Sequence, residues 1–358
     1  MHFVRRIGLF FATFFFGILL FLLVSTASLA QTIGKPSTLK GWLKSSGIYT
    51  KVVPAVLEQS SKNTDSPTGS DTSISFKDPN VQKIAEQAFS PQFIQQSSES
   101  AIDGSYKWLQ GKTTKPQFTI TVSTAKDAFA NGVGNYIRNR AAKLPVCTTL
   151  PASFDILNAT CVPKGINVNT EAQKVVSQIV TSKDFLPDPT VTADTDKTSN
   201  NTAPKPLYQA QPNLPKYYRL LVLGPWIFGG LALLAAAGII WLNEDHRRGL
   251  RKVMATLFTT GGLLLIYIAA VSYGFNKIQA RLTKDTSGSQ VSTLKQSAIT
   301  ALKSASHDIS RVAIIYGVVF IVIGAAVAVY LLMTRPNAPK PIKHPLAEDK
   351  ALDKVPQK

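Results

Sequence analysis

The chain has 358 residues, with 39 Lys plus Arg against 21 Asp plus Glu and a formal net charge of +18. That length accommodates a bundle of membrane helices and one soluble domain of ordinary size. In a water-soluble protein such a charge would point to nucleic acid; here the apolar residues gather in four uncharged runs, so the charge has to be read segment by segment.

Residues 1–6 precede the first run and contain Arg5 and Arg6. The run itself, 7–26, begins IGLFFATFFFGILLFLLV at Ile7. About 20 uncharged, mostly apolar residues cross the hydrocarbon core as a helix that satisfies its own backbone hydrogen bonds. Ser28-Leu29-Ala30 before Gln31 has the form of a signal-peptidase site. Two readings therefore stand, an uncleaved anchor or a signal peptide ending at 30. The first gives four spans and the second gives three.

Residues 31–184 read as a mostly helical extracytoplasmic domain. A short helix begins at Ser37 and ends at Gly47. The pairs Ile48/Tyr49, Val52/Val53 and Val56/Leu57 then repeat every four residues, as in an amphipathic helix, with Pro54 tolerable only near its start. Residues 59–78 are Ser/Thr-rich and read as a linker. Val81, Ile84, Ala85, Ala88 and Phe89 form a second stripe. Ser90-Pro91 opens a third helix that ends near Gly111. On it Glu99, Asp103 and Lys107 form a solvated row, and Trp108 and Trp42 read as core or interface anchors. Gln117–Val122 alternates as a strand does. Thr124 is expected to cap a fourth helix reaching Leu144, and a fifth is expected over 170–183. Gly132-Val133-Gly134, inside the fourth, reads as a close helix–helix contact rather than a nucleotide loop.

Cys147 and Cys161 both lie in this domain and none lies elsewhere. Two cysteines 14 positions apart in an oxidising compartment predict one disulfide. No His falls within 31–217 to complete a zinc site. Residues 185–217, rich in Pro, Thr, Asp and Asn, read as an extended tether.

The remaining runs predict spans at 218–242, 253–275 and 312–334. Small residues four apart, Ala232/Ala236, Ala313/Gly317 and Gly324/Ala328, suit close packing of membrane helices, and Gly261-Gly262 joins them as a packing or bending point. Residues 276–311 are expected to form an amphipathic segment that packs on the domain or lies at the lipid surface. The loop 243–252 carries Arg247, Arg248, Arg251 and Lys252, and the tail 335–358 begins with Arg335. With Arg5 and Arg6, these clusters place both termini and the loop in the cytoplasm. The expected location is the plasma membrane, multi-pass.

Residues 31–217 hold 20 Lys plus Arg against 14 Asp plus Glu, a diluted excess. Topology and anionic headgroups account for the rest, so nucleic acid is not an expected partner. The chain contains no G-x-S-x-G, H-E-x-x-H, Walker loop or G-x-G-x-x-G. His2, His246, His307 and His344 are scattered over both faces, and no charged residue lies near mid-membrane, where ion-coupled transporters place them.

Ser90-Pro91-Gln92-Phe93-Ile94, the run Ile102–Ile120, Leu144-Pro145-Val146-Cys147 and Cys161-Val162-Pro163 resemble a type of bacterial four-span integral membrane protein with a large extracytoplasmic domain. That type has no assigned activity, so the resemblance implies an architecture and no functional residues. Claudins differ in carrying their paired cysteines in a much shorter first loop with a tryptophan motif, and tetraspanins in placing their large loop between spans three and four. The leading expectation is a non-enzymatic cell-envelope protein whose outer domain binds or scaffolds another envelope component, without metal or cofactor. Its partners would be membrane lipids and other envelope or membrane proteins, copies of itself included. A passive channel, transporter or accessory subunit, and a sensor acting through a separate cytoplasmic partner, are the rival readings.

Overall fold

A computed structural model describes residues 2–63, 78–148, 156–157, 159–182, 189–194, 206–284 and 290–334. The tail with Arg335 and most of the Ser/Thr-rich linker lie outside them. The fold is mainly helical, with one two-stranded sheet among the described residues.

Four helices are long and apolar enough to cross a membrane: α1 (His2–Gln31), α9 (Leu214–Leu242), α10 (His246–Lys284) and α11 (Gln290–Met333). The chain is a multi-pass membrane protein. Phe16, Leu20, Val24, Ile239, Leu264 and Phe320 fill the space between these helices. Their other faces expose large apolar side chains, Phe10 at 69% and Leu233 at 75%, which only a lipid surround makes favourable. Trp241 stands exposed at the C-terminal end of α9, where an amphipathic ring suits the membrane interface.

The large domain comprises α2 (Pro36–Ser45), α3 (Ile48–Asn63), α4 (Pro79–Ala88), α5 (Pro91–Leu109), β1 (Thr119–Thr121), α6 (Ser123–Ala141), α7 (Val168–Thr181) and β2 (Thr190–Thr192). Its core is built on α6: Phe129, Val133 and Ile137 are essentially inaccessible and pack with Ala172, Val176 and Val81 from α7 and α4. The local signals act as their chemistry requires. Asp78 accepts from the Asn80 amide at 2.8 Å and Ser90 from the Phe93 amide at 3.2 Å, each capping a helix whose first residue is proline. Gly111, at φ +71°, closes α5, and a Cβ there would meet the Arg219 guanidinium of α9. Gly132 faces Ile84 of α4 and Gly134 faces Val176 of α7, with a hypothetical Cβ 2.4 and 2.6 Å away, so this G-x-G is a packing device.

Cys147 and Cys161 are disulfide-bonded. Beside the bond, the Cys147 amide donates to the Val162 carbonyl at 3.0 Å and the Val162 amide to the Pro145 carbonyl at 2.9 Å. The Arg140 guanidinium reaches from α6 to the carbonyls of Leu157 and Ala159.

Several boundaries differ from the sequence expectation. Thr124 caps nothing: α6 begins at Ser123, and the amides of Val122 and Ser123 both donate to the Pro189 carbonyl. A neighbouring backbone thus takes the place of a capping side chain. Pro54 is the seventh residue of α3, not in its first turn. The segment 185–217 is not simply an extended tether. β2 pairs antiparallel with β1, Ile120 opposite Val191, and Asp194 takes Lys115 and Tyr208. A short helix, α8 (Leu207–Ala210), and the early start of α9 follow.

The 243–252 loop contracts to Asn243–Asp245, because α10 already begins at His246. The 276–311 segment is not a separate element either. Residues 276–284 continue α10, and 290–311 form the first half of the 44-residue α11. No proline or glycine interrupts Gln290–Tyr316, so nothing ends the helix before its apolar half begins. At 1.5 Å per residue, α11 is about 66 Å long, twice the hydrocarbon thickness. Its domain-side half packs on α2 and α3.

Candidate functional site at the junction of domain and bundle

The chain leaves α1 through Gln31 and turns at once into α2, so the exit carbonyls of Ile33 and Gly34 lie beneath the domain. Two tyrosines hold them. Tyr106 of α5 donates to the Ile33 carbonyl, and Tyr218 of α9 donates to the Gly34 carbonyl at 2.8 Å. Their rings meet edge to face with centroids 6.0 Å apart. Burial pushes the Tyr106 phenol up, and the neighbouring Tyr218 adds to it. Tyr106 therefore stays a donor at physiological pH.

One turn further on, Trp42 of α2 is 7% exposed and donates its indole N–H to Asp308 of α11 at 2.8 Å. Trp42 thus acts as an anchor, but to a carboxylate on a membrane helix. Lys40, on the same helix, reaches Asp103 at 2.7 Å and lies 4.0 Å from Glu99. The acidic row on α5 is therefore bridged by α2 rather than solely solvated. Tyr49 is buried beside this group. Its phenol has no hydrogen-bond partner among the described residues, and burial, then the Glu99 charge, raises its pKa.

These contacts border a cleft of about 680 Å³ between α2 and α11, with Trp42, Asp308, Lys303 and His307 on its walls. His307 Nδ1 lies 3.7 Å from Asp308 Oδ1, and the imidazole side chain is 77% exposed. The Ser304 hydroxyl is committed to the Thr300 carbonyl at 3.1 Å. Among the described residues no hydroxyl bonds His307, so no nucleophile–base pair forms there. Nor do three His, Cys, Asp or Glu side chains converge among them in a metal-binding group.

Within the bilayer, Ala232 and Ala313 are buried in the bundle core and Ala236 packs against it. Gly261 and Gly317 meet across α10 and α11, a Cβ on Gly261 standing 3.0 Å from the Gly317 carbonyl. Gly324 sits against the Phe258 ring, with a Cβ 3.2 Å away. Ala328 is half-buried. Gly262 departs from the expectation: nothing lies within 4 Å of its Cβ position. One residue on is 100° round the helix, so the two glycines do not share a face. Gly224 faces Thr26 of α1, where an added Cβ would stand 2.9 Å from the threonine side chain. An apolar groove of about 640 Å³ runs between α1 and α10, walled by Phe14, Phe21 and Leu263.

Of the cations read as topology-setting, Arg247, Arg248, Arg251 and Lys252 occupy the first two turns of α10, with Arg248 paired to Asp245 at 3.1 Å. Arg5 and Arg6 lie in the first turn and a half of α1. Cations also flank the other membrane face, where Lys303 and Arg311 stand on α11. Sequence reasoning missed Asp308, Tyr106 and Tyr218 as junction residues. Their partners lie 266, 73 and 184 positions away, and no local pattern encodes such pairs.

No protein-family model, curated protein or solved structure matches the chain.

Proposed function

We propose that the protein is a non-enzymatic scaffold of the bacterial cell envelope. Its large domain is extracytoplasmic and binds another envelope component, and the bundle holds it at the plasma membrane with both termini in the cytoplasm. The observation that carries this reading is the fixed seat of the domain. Tyr218 and Trp42 tie it to two of the four membrane helices, α9 and α11, and Tyr106 holds the turn that follows α1, a geometry suited to presenting one surface at a set height and angle. The order of features, resembling bacterial four-span proteins, supports it.

The test is crosslinking in intact membranes followed by mass spectrometry. Crosslinks from residues 35–185 to a defined envelope component are expected. Crosslinks confined to copies of the chain through α9, α10 and α11 would overturn the scaffold and favour an oligomeric pore.

A second reading, a sensor acting through a cytoplasmic partner, is favoured by α11 alone. One uninterrupted helix touches the domain at Asp308 and ends on the opposite membrane face. Crosslinks from the 243–252 region to a soluble protein, changed by Asp308→Asn, would support it; none in either form would sink it.

A further inference from the structure

A second cleft, of about 540 Å³, opens between the domain-side ends of α10 and α11. Lys303, His307 and Arg311 of α11 line it. They are four residues apart, so they form a row on one helix face, with the cations Lys303 and Arg311 two turns apart and the His307 imidazole between them. Among the described residues no carboxylate pairs with Lys303 or Arg311. The nearby acid, Asp308, lies 100° round α11 from His307, with its Oδ1 3.7 Å from His307 Nδ1 and its Oδ2 taking the Trp42 indole.

Opposite the row, α10 supplies Ser272 and Asn276, and α11 adds Ser310. These three offer donors. The Ser306 hydroxyl, committed to the Lys303 carbonyl at 3.0 Å, does not. The floor, on the bilayer side, is Ile268 and Ile314. The cleft is therefore cationic and donor-rich at one end and apolar at the other.

Its depth matches a lipid. The apolar half of α11 begins at Val312, so Arg311 lies at the hydrocarbon boundary. His307 stands about 6 Å and Lys303 about 12 Å above Arg311. The polar headgroup layer is about 5–8 Å deep on each side, and long basic side chains bend toward it.

We infer that this cleft binds the phosphate of an anionic phospholipid from the leaflet on the domain's side, with the acyl chains along Ile268 and Ile314. The chemistry recognised is a phosphate ester beside an apolar surface. A free phosphate shares the first half of that chemistry and not the second.

The experiment uses the full-length protein in vesicles that carry a photoactivatable anionic phospholipid or its zwitterionic counterpart, with crosslinks mapped by mass spectrometry. The anionic probe is expected to label 268–276 and 303–314 in preference to the zwitterionic one, and excess phosphatidylglycerol, not inorganic phosphate, is expected to compete. Each interfacial cation strengthens such attraction about fivefold. The Lys303→Gln/Arg311→Gln double variant should therefore lose about 25-fold of the preference there, while labelling near Arg247 and Arg251 is unchanged. Lys303→Arg should keep it, and intact Cys147–Cys161 with monodisperse elution would show that the double variant folds. Equal labelling by both probes, or an unchanged preference in the double variant, would overturn the site. Competition by inorganic phosphate would overturn the lipid as its source.

Discussion

The large domain and the membrane bundle use apolar side chains in opposite ways. In the domain the largest apolar groups are inside: Phe129 is 0% exposed and Ile137 1%. In the bundle many of the largest are outside, and helices approach closely where side chains are missing, as at Gly261 and Gly317. The solvent explains the inversion. Water drives apolar surface inward at roughly 25 cal/mol per Å², whereas lipid tails give no such drive and helices associate by close packing and interhelical hydrogen bonds. Truncation of a large core side chain should therefore hurt the domain most, and enlargement at a glycine contact should hurt the bundle most.

The largest effect is expected from Phe129→Ala, which empties the centre of the domain core. It should cost about 3–5 kcal/mol, read as a fall in the denaturant midpoint of the domain while the bundle stays helical. Cys147→Ser follows. The loop of 14 positions it opens is worth about 3 kcal/mol, visible as a lower Tm under oxidising conditions that reductant abolishes. In the bundle the contrast is between adjacent glycines. Gly261→Val should destabilise by about 1–3 kcal/mol through overpacking, whereas Gly262→Val, with open space around it, should leave the stability of the bundle in detergent unchanged. Equal effects at the two positions would break the comparison. Trp42→Phe keeps the ring and removes the bond to Asp308. It should cost about 1 kcal/mol, discounted because the carboxylate is partly exposed, and loosen the domain without unfolding it.

The smallest effect is acid sensitivity of the domain. Burial pushes the Asp78 carboxyl up, but the hydrogen bond from Tyr136, those from Asn80 and the Arg140 charge outweigh it, and the net shift is downward. A carboxylate whose folded value lies below its unfolded value, about 3.9 for Asp, stabilises the fold above that value. The contribution fades as pH falls through the folded value. Because the group is largely solvated, Asp78→Asn should narrow the stability gap between pH 6 and pH 3 by less than about 1 kcal/mol. A larger gap in the variant would contradict the sign.

The two regions also differed in how legible they were. The spans were plain in the sequence because charge-free length alone encodes them, and the domain helices because their stripes, prolines and caps are local. The disulfide followed from two cysteines and a compartment. What escaped was long-range. The pairing of β2 with β1 joins segments about 70 positions apart, and nothing in a Pro- and Thr-rich stretch announces a strand partner. The continuity of α11 was legible in hindsight from uninterrupted helical spacing, but a change from polar to apolar composition near Val312 imitates a boundary. The junction residues were visible only as Trp and Tyr near spans, a composition that fits lipid interfaces equally well.

The central claim is that the domain is seated on the bundle, not hung from it. Spin labels at Lys174→Cys in α7 and Tyr273→Cys in α10, both exposed side chains, measure it directly in vesicles by pulsed electron resonance. A single narrow distance distribution, broadened by Trp42→Phe with Asp308→Asn, is the predicted result. A broad distribution in the otherwise unaltered protein would contradict the account.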